Sequence, residues 1–497
     1  MTSNARTPEA SPGVGSTVDV SFTDLLANGQ AVGRAGGRVV FCFGPLPGER
    51  ATVRITTVKA RYVVAEMVRL LSASAHRVAP FCPVFGACGG CHVQHLSYAA
   101  QLAWKRDVVR NAFARIGGLR DVAVRPVVGM PYPRAYRNKM ALVVAHRGGR
   151  PVLGFYRARS HDLVPISACP VLAPPLSEYV GRLDAAAVDP QTAPALARTY
   201  HVVARTARAT GQTVVTLTTD DASDEVALAA PALMTRLPGA VGITNAFDLS
   251  SRNAILGRKH RVVAGTAEIE ERVGGLRFRI SAGSFFQVNP AMLERILAFI
   301  APGLQRPQPI ADLYCGAGTF ALFFASHGCS VYGVEENARA VEEARRNAEI
   351  NGLADRVRFD AGLVENVVVA GEGFAALREA RIAFLDPPRK GADERVLDAI
   401  ARARVPNVWY LSCDPATLAR DSAVLTANGY AVGVVQPFDM FPHTGHIETL
   451  ATFYRTDDAK AAEIAEAFAG VPPPQWPADD PYAKERPEYP DFVITDD

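Results

Sequence analysis

Three cysteines stand close together in the segment FCPVFGACGGCHVQH, residues 81–95. Cys82, Cys88 and Cys91 follow the spacing C-x5-C-x2-C, which suits a metal site, a disulfide framework or a catalytic thiol. The chain starts with MTSNARTPEASPGVGS, which lacks the apolar run of a signal peptide, so we expect a cytoplasmic protein. Disulfides are rare in that reducing compartment. The spacing therefore favours metal ligands; it leaves zinc and iron-sulfur open, and leans towards iron-sulfur.

A second motif, IADLYCGAGTF, joins a short apolar run to a helical segment through a turn that contains Gly316 and Gly318. Glycines let backbone amides approach a ligand closely, and Glu335 ends the next apolar run, where an acid suits a ribose diol. The motif lacks the third glycine of G-x-G-x-x-G, and the chain has no G-x-x-x-x-G-K-[ST] motif. These features favour S-adenosylmethionine over a dinucleotide or a nucleoside triphosphate.

Three more residues end or begin apolar runs: Asp386 in FLDPPRKG, Cys413 in YLSCDP and Glu448 in GHIETLA. Methyltransferases that act on the amino groups of bases place an aromatic residue after Pro-Pro, whereas this chain has Arg389, which points to methylation at carbon. Uracil C5 is a weak nucleophile until a thiolate adds to C6, and the C5 proton must later be removed. Cys413 is the candidate nucleophile and Glu448 the candidate base, although a packing cysteine and a surface carboxylate are the alternatives.

The surrounding segments predict the elements that position these residues. From Pro309 onwards, apolar runs alternate with helical segments, which is typical of a mostly parallel, doubly wound sheet with its sites at the carboxyl ends of the strands. Short β-rich runs from Val18 to Leu70 predict a small antiparallel barrel. The acidic, proline-rich end of the chain predicts disorder or loose packing.

The charge is unevenly distributed along the chain. Residues 101–165 contain 13 Lys and Arg against 3 acids, within a chain of net charge +3. Such a basic region suits a polyanion such as RNA, although a solvated charged face has the same composition. No run of about 18 apolar residues appears, so we expect no membrane partner.

The order of these motifs resembles that of the RNA 5-methyluridine methyltransferases, most of all the branch that acts on 23S rRNA. The resemblance covers residues 14–455 and rests on C-x5-C-x2-C, SFFQVNP, DLYCGAGTF, LDPPRKG, LSCDP and HIETL. It implies an α/β fold with a Rossmann-like S-adenosylmethionine methyltransferase domain, an N-terminal TRAM-like, RNA-binding β-barrel and a central α+β iron-sulfur domain. The divisions are a disordered lead (1–13), the barrel (14–73), the central domain (74–100 and 132–284), the catalytic domain (101–131 and 285–455) and an acidic tail (456–497).

The resemblance also implies roles for individual residues. Cys413 matches the nucleophile and Glu448 the base. Some residues match contacts to S-adenosylmethionine, and two glycines form the turn that would bind it. Together they are Gln287, Tyr314, Gly316, Gly318, Thr319, Glu335 and Asp386. The residues that match ligands of a [4Fe-4S] cluster are Cys82, Cys88, Cys91 and the distant Cys169. Family members commonly place Asp or Asn near adenine, whereas this chain has Leu363 there and Asp360 three residues earlier, so the adenine contact is unassigned.

We therefore predict an enzyme that methylates uridine C5 in 23S rRNA, with S-adenosylmethionine as donor and a covalent adduct between Cys413 and C6. The oligomeric state does not follow from the sequence, and a monomer is the default expectation. Two alternatives stay open: the same chemistry on a T-loop uridine of tRNA, and a non-catalytic RNA-binding iron-sulfur protein. The presence of Cys413, Glu448 and a complete cofactor turn argues against the second alternative. The purpose of the cluster does not follow from sequence, and our hypothesis is that it supports folding of the central domain.

Overall fold

The structure is a computed structural model that describes residues 13–251 and 254–458, together with residues 461, 463, 467, 468, 470–474 and 476. Almost all of the predicted lead (1–13) and most of the acidic tail (456–497) lie outside these residues. Across the described part of the chain, no helix is long and apolar enough to cross a membrane.

The N-terminal strands form a closed barrel in the order β1-β2-β3-β5-β4; the predicted barrel is confirmed, but β3 and β5 pair in parallel, so it is not wholly antiparallel. The strands are β1 (Thr17–Leu25), β2 (Gln30–Ala35), β3 (Arg38–Phe43), β4 (Arg50–Val58) and β5 (Tyr62–Ser72). Burial alternates along β4, as expected for strands with one face towards a core and the other towards solvent. The inward positions include Val20, Val40 and Val63, which are fully buried.

Helix α1 (Tyr98–Arg115) follows the cysteine segment and packs on the catalytic domain. Its residues Val109 and Phe113 are fully buried in the same core cluster as Leu385 and Leu418 of the catalytic domain. The opposite end of the helix contacts the barrel, since the indole N–H of Trp104 donates to the Leu25 carbonyl at 2.9 Å. The helix therefore ties the barrel to the catalytic domain.

The central part of the chain forms a seven-stranded sheet in the order β12-β11-β10-β9-β6-β7-β8, with three helices. The elements are β6 (Lys139–Arg147), β7 (Arg150–Tyr156), β8 (Leu163–Pro165), α2 (Pro174–Ala186), α3 (Ala193–Arg198), β9 (His201–Thr206), β10 (Thr213–Thr218), α4 (Asp224–Arg236), β11 (Ala240–Phe247) and β12 (Lys259–Gly265). Apolar residues of α2 and α4 share one core with β9 and β10.

A hairpin, β13 (Glu268–Val273) and β14 (Leu276–Ser281), links this sheet to the catalytic domain. Its buried residues Ile269, Phe278 and Ile280 belong to the same core cluster as the catalytic domain. The hairpin thus packs with the catalytic domain, whereas the sequence divides the two domains after residue 284. The domain boundaries stay a prediction.

The catalytic domain is a seven-stranded sheet in the order β17-β16-β15-β18-β19-β21-β20, parallel except for the antiparallel strand β21. The elements are α5 (Pro290–Ile300), β15 (Pro309–Leu313), α6 (Thr319–Ser326), β16 (Ser330–Glu335), α7 (Ala338–Ile350), β17 (Val357–Ala361), α8 (Val364–Val367), α9 (Gly371–Glu379), β18 (Ile382–Leu385), α10 (Glu394–Ala403), β19 (Asn407–Ser412), α11 (Pro415–Ala427), β20 (Tyr430–Phe438) and β21 (Glu448–Arg455). The predicted Rossmann-like domain and N-terminal barrel are confirmed.

The first part of the acidic tail packs on the catalytic domain. Phe468 is fully buried against Trp409, with ring centroids 5.0 Å apart. The indole N–H of Trp476 donates to the Gly129 carbonyl at 2.7 Å. The expectation of disorder or loose packing is therefore wrong for these residues, because two aromatic side chains there have apolar surface to bury.

Candidate active site and cysteine cluster

Cys413 lies between the end of β19 and the start of α11, at the carboxyl edge of the sheet. Asp414 caps α11 by accepting hydrogen bonds from the amides of Ala416 and Thr417 at 2.9 and 3.2 Å, which fixes the turn that presents the thiol. In the antiparallel pairing of β19 with β21, Ser412 pairs with Thr449, so the next position places Cys413 opposite Glu448. The structure thus brings the candidate nucleophile and the candidate base together.

Carboxylates surround the Cys413 thiol. Asp386 follows β18, which pairs with β19 and with the cofactor strand β15. Burial, and then the charges of Glu448 and Asp386, raise the pKa of Cys413 to about 12, an effect that Arg389 opposes. Burial and Glu335 raise the pKa of Asp386 to about 7. Burial, followed by the charge of Asp386, raises the pKa of Glu448 well above its ordinary value. The raised pKa values of these three groups therefore favour their protonated forms near neutral pH.

The raised pKa of Asp386 predicts a pH-dependent cost in stability. Between pH 4 and 7 the folded state keeps a proton that the unfolded state releases, because the pKa rises from 3.8 to about 7 on folding. Stability must then fall as pH rises through this window. We expect Asp386→Asn to stabilise the protein by about 1 to 2 kcal/mol at pH 8 and hardly at all at pH 4, as measured by denaturation at both pH values. An equal effect at both pH values would contradict this prediction.

The turn after β15 has the shape of a cofactor loop. Tyr314, Gly316 and Gly318 have positive φ of 70, 54 and 85°. A Cβ atom at Gly318 would meet that of Ala344 at 3.1 Å, so the residue must be small there. Thr319 begins α6, whose N-terminal amides suit a polar ligand.

Glu335 ends β16 beside this turn. Its carboxylate accepts hydrogen bonds from the amide of Gly316 at 3.1 Å and from that of Asn337 at 2.9 Å. Each oxygen keeps a second lone pair, which leaves capacity for ribose hydroxyls. The arrangement matches the predicted ribose contact, which stays a prediction.

Gln287 lies in the loop between β14 and α5 and is buried. The amide of Asn138 donates to the neighbouring Val288 carbonyl at 2.9 Å, so this loop rests on the start of β6. Two residues before Gln287, the side chain of Phe285 is 70% exposed. Phe285 is not among the predicted site residues, and its only sequence signal is its place in the SFFQVN motif.

Asp360 and Leu363 differ in their surroundings. The Tyr332 hydroxyl donates to the Asp360 carboxylate at 2.6 Å, and Arg358 adds an ion pair at 3.3 Å, so this carboxylate is already engaged. Leu363 follows Gly362, whose amide donates to the Glu335 carbonyl at 2.9 Å, and its side chain is 41% exposed. An apolar residue thus stands beside the end of β16, and the adenine contact stays unassigned.

The four predicted cluster ligands line one cavity of about 400 Å³. Cys82, Cys88, Cys91 and Cys169 are all free thiols, and the walls between them are largely apolar, with Met140 and Phe155 among them. Among the described residues, no three His, Cys, Asp or Glu side chains form a group that could hold a metal ion. The predicted iron-sulfur domain is therefore not shown and stays a prediction.

The two histidines after the cysteines have structural contacts. His95 is buried, with its ring centroid 5.2 Å from that of Phe85. The Nδ1 atom of His92 accepts a hydrogen bond from the amide of Gly445 at 3.1 Å. The cysteine segment thus contacts the loop that precedes Glu448.

Comparison with known proteins places this geometry in a family. Residues 98–455 match tRNA (uracil-5-)-methyltransferase, and residues 13–68 match the TRAM domain. The chain belongs to the tRNA (uracil-5-)-methyltransferase family. It is therefore an enzyme of the class that methylates uracil in RNA at position 5, and the alternative of a non-catalytic binding protein is set aside.

Individual relatives are similar along most of their length. Uncharacterized RNA methyltransferases from Bacillus cereus and Thermosynechococcus vestitus are 36% and 37% identical over 459 and 449 residues. The alignments cover 88% of this chain in both cases, and 97% and 98% of those proteins. The crystal structure of the Pyrococcus abyssi tRNA (uracil-54, C5)-methyltransferase with S-adenosyl-L-homocysteine has a TM-score of 0.69 and 26% identity, covering 88% of this chain and all of that one.

Proposed function

We propose that this enzyme transfers a methyl group from S-adenosylmethionine to C5 of a uridine in 23S rRNA, through a covalent adduct of Cys413. The observation that carries the proposal is the strand register that sets Cys413 opposite Glu448, beside Asp386 and the cofactor turn. A thiol and a carboxylate on opposite strands suit a reaction in which one residue adds to the ring and the other later removes a proton.

The reaction begins when the Cys413 sulfur bonds to C6 and the C5=C6 electron pair moves into the ring as an enolate. Because burial holds the thiol pKa near 12, attack requires that Cys413 lose its proton as the bond forms. The Asp386 carboxylate, with a pKa of about 7, is the proposed acceptor of that proton, which leaves Glu448 unprotonated for the later step. Bound S-adenosylmethionine supplies the electrophilic methyl group that C5 attacks. Glu448 then takes the C5 proton, the C5=C6 bond reforms, and the Cys413–C6 bond breaks as the departing sulfur regains its proton from Asp386.

The residues around the turn are proposed to hold the methyl donor. Glu335 would accept the ribose hydroxyls, Gly316 and Gly318 would shape the turn, and Thr319 at the start of α6 would face the amino acid part. Gln287, Tyr314 and Asp386 complete the predicted set. The fold similarity to an enzyme whose structure contains S-adenosyl-L-homocysteine supports this donor.

The uridine must leave its stack, because C6 has to reach a thiol that is half-buried. Phe285 is the exposed aromatic residue nearest in sequence to the cofactor residue Gln287. We propose that its ring stacks on an extruded base, in the way that aromatic side chains commonly hold unpaired RNA bases.

The RNA itself has two candidates. The proposal of 23S rRNA rests on the resemblance of the cysteine motif and barrel to the rRNA branch. A T-loop uridine of tRNA is the second candidate, favoured by the similarity to the Pyrococcus abyssi enzyme, whose substrate is named as uracil-54 of tRNA.

Tritium release tests the function and separates these substrates. Unmodified 23S rRNA fragments and tRNA transcripts, each labelled with tritium at uridine C5, would be incubated with anaerobically purified enzyme and S-adenosylmethionine. Release from rRNA alone supports the proposal. Release from tRNA keeps the chemistry and overturns the rRNA substrate, and release from neither RNA contradicts the proposed function.

We also propose that the four cysteines hold a [4Fe-4S] cluster. In such a cluster each thiolate binds its own iron, so the ligands need to surround a cavity rather than converge on one ion. The cavity lined by all four free thiols fits that requirement. When bound, the cluster would link the segment around Cys88 to Cys169, which is 81 residues further along the chain.

Replacing Cys88 with alanine tests the cluster and its purpose together. We expect wild-type protein to contain about four iron atoms per chain after anaerobic purification, and the variant to lose them and to unfold at lower temperature. Iron content and thermal denaturation are the measurements. If the variant loses iron but keeps full thermal stability, the cluster does not support folding, and if wild-type protein holds zinc, the cluster proposal fails.

A further inference from the structure

The loop of residues 439–447 joins β20 to β21 and delivers Glu448 to the site. Phe438, the last residue of β20, pairs with Glu448, the first residue of β21. Both ends of the loop therefore lie next to Glu448. Hydrogen bonds inside the loop are few, the main one being from the Thr444 hydroxyl to the Phe441 carbonyl at 2.8 Å. His443, at its tip, has a positive φ of 66°. A long loop of this kind needs outside support to hold one conformation.

Helix α1 supplies that support through a fully buried glutamine. The Oε1 atom of Gln101 accepts a hydrogen bond from the His443 amide at 3.1 Å, and its Nε2 atom lies 3.2 Å from His443 Nδ1. The same Nε2 atom donates to the carbonyls of Val93 at 3.0 Å and Leu96 at 2.8 Å. Gln101 therefore joins the tip of the loop, through hydrogen bonds, to the segment that follows the cysteines.

The cysteine segment also forms direct hydrogen bonds with the tip of the loop. The amides of His92 and Val93 donate to the His443 carbonyl at 2.9 and 3.1 Å. The His92 side chain accepts from the amide of Gly445, three residues before Glu448. His443 Nε2 lies 2.8 Å from the Pro133 carbonyl, so that nitrogen donates while Nδ1 accepts from Gln101.

The start of the loop is fixed by a buried ion pair from the same helix. Lys105 Nζ lies 2.5 Å from Asp439 Oδ1 and donates to the Phe441 carbonyl at 3.0 Å. The Tyr98 hydroxyl donates to the other Asp439 oxygen at 2.8 Å. One face of α1 thus holds both the start and the tip of the loop.

We propose that Gln101 is a positioning residue for Glu448, which acts by holding the loop of residues 439–447 against the cysteine segment. The inference rests on the proposed function, in which Glu448 removes the C5 proton. Because Gln101 is fully buried, it acts through the loop rather than by contact with RNA. Loosening the loop slows proton removal and leaves attack by Cys413 and methyl transfer largely unaffected, so the enzyme stalls as a methylated covalent complex.

The test compares Gln101→Met with Gln436→Met. Gln436 is also fully buried and donates to two backbone carbonyls, of Pro126 and Pro437, but it lies in β20 outside the loop. In single-turnover reactions with radioactive methyl donor, the covalent complex is measured on denaturing gels and tritium release from C5 is measured in parallel. We expect Gln101→Met to lower tritium release about tenfold and to raise the labelled complex by a similar factor, within the range of general base catalysis.

Each outcome decides the proposal. A similar complex in Gln436→Met would mean that loss of stability alone causes the stall, which overturns the positioning role. If Glu448→Gln traps the complex but Gln101→Met does not, the positioning role fails while the proposed function stands. If Glu448→Gln traps nothing, the proposed function itself fails. Should Gln101→Met not fold, Tyr98→Phe loses only the hydroxyl that joins Asp439 and Met130, and the absence of any stall in that variant overturns the proposal.

Discussion

Replacing Cys413 with alanine should abolish methylation and the covalent enzyme–RNA complex. Without a nucleophile at C6, C5 cannot become an enolate, so we expect turnover to fall by about 10⁴-fold or more, as when the nucleophile of a covalent enzyme is removed. Methyl incorporation into RNA and the complex on denaturing gels are the two measurements. RNA binding should persist, because the substitution removes only one small uncharged group.

The chain offers a matched control for this substitution. Cys329 is a fully buried thiol in the core of the catalytic domain, away from the carboxyl edge of the sheet. Cys329→Ala should keep both activity and the covalent complex. Measurable turnover by well-folded Cys413→Ala would remove Cys413 from the role of nucleophile.

Replacing Glu448 with glutamine should leave the enzyme bound covalently to methylated RNA. Attack and methyl transfer need Cys413 and the donor, whereas release needs a base for the C5 proton. An amide cannot accept that proton, so we expect release to slow by about 10² to 10⁴-fold. The labelled methyl group should then migrate with the protein on denaturing gels.

Glu343→Gln controls for the loss of a buried carboxylate elsewhere. The Glu343 carboxylate, on α7, accepts hydrogen bonds from the hydroxyls of Ser281 and Ser284. That variant should release its product at a normal rate once the donor is bound. If Glu448→Gln also releases methylated RNA normally, Glu448 is not the base.

The sequence predicted the catalytic edge because each candidate residue ends or begins an apolar run. Parallel strands bring their carboxyl ends to one edge, so Tyr314, Glu335, Asp386 and Cys413 had to lie near one another. The antiparallel strand β21 was not predicted as such, yet it is what sets Glu448 opposite Cys413. Strand order depends on packing between distant segments, which no local pattern encodes.

The loop support could not be predicted from sequence for the same reason. Gln101 and His443 are 342 positions apart, and a buried glutamine has no distinctive local pattern. The sequence also cannot identify the metal at the four cysteines, because zinc and iron-sulfur clusters both bind thiolates. The prediction was wrong for the part of the tail around Phe468 and Trp476, because the overall composition outweighed two aromatic side chains that pack on the catalytic domain.

The central claim of the proposed mechanism is a covalent bond between Cys413 and C6 of uridine. Substrate RNA that carries 5-fluorouridine at the target position provides the direct measurement, because fluorine at C5 cannot be removed as a proton and the adduct should accumulate. After incubation with S-adenosylmethionine, digestion and mass spectrometry, we predict one modified peptide, with a methylated fluorouridine nucleotide on Cys413. A modification on another cysteine, or methylated RNA with no adduct in the wild-type enzyme, would contradict the account.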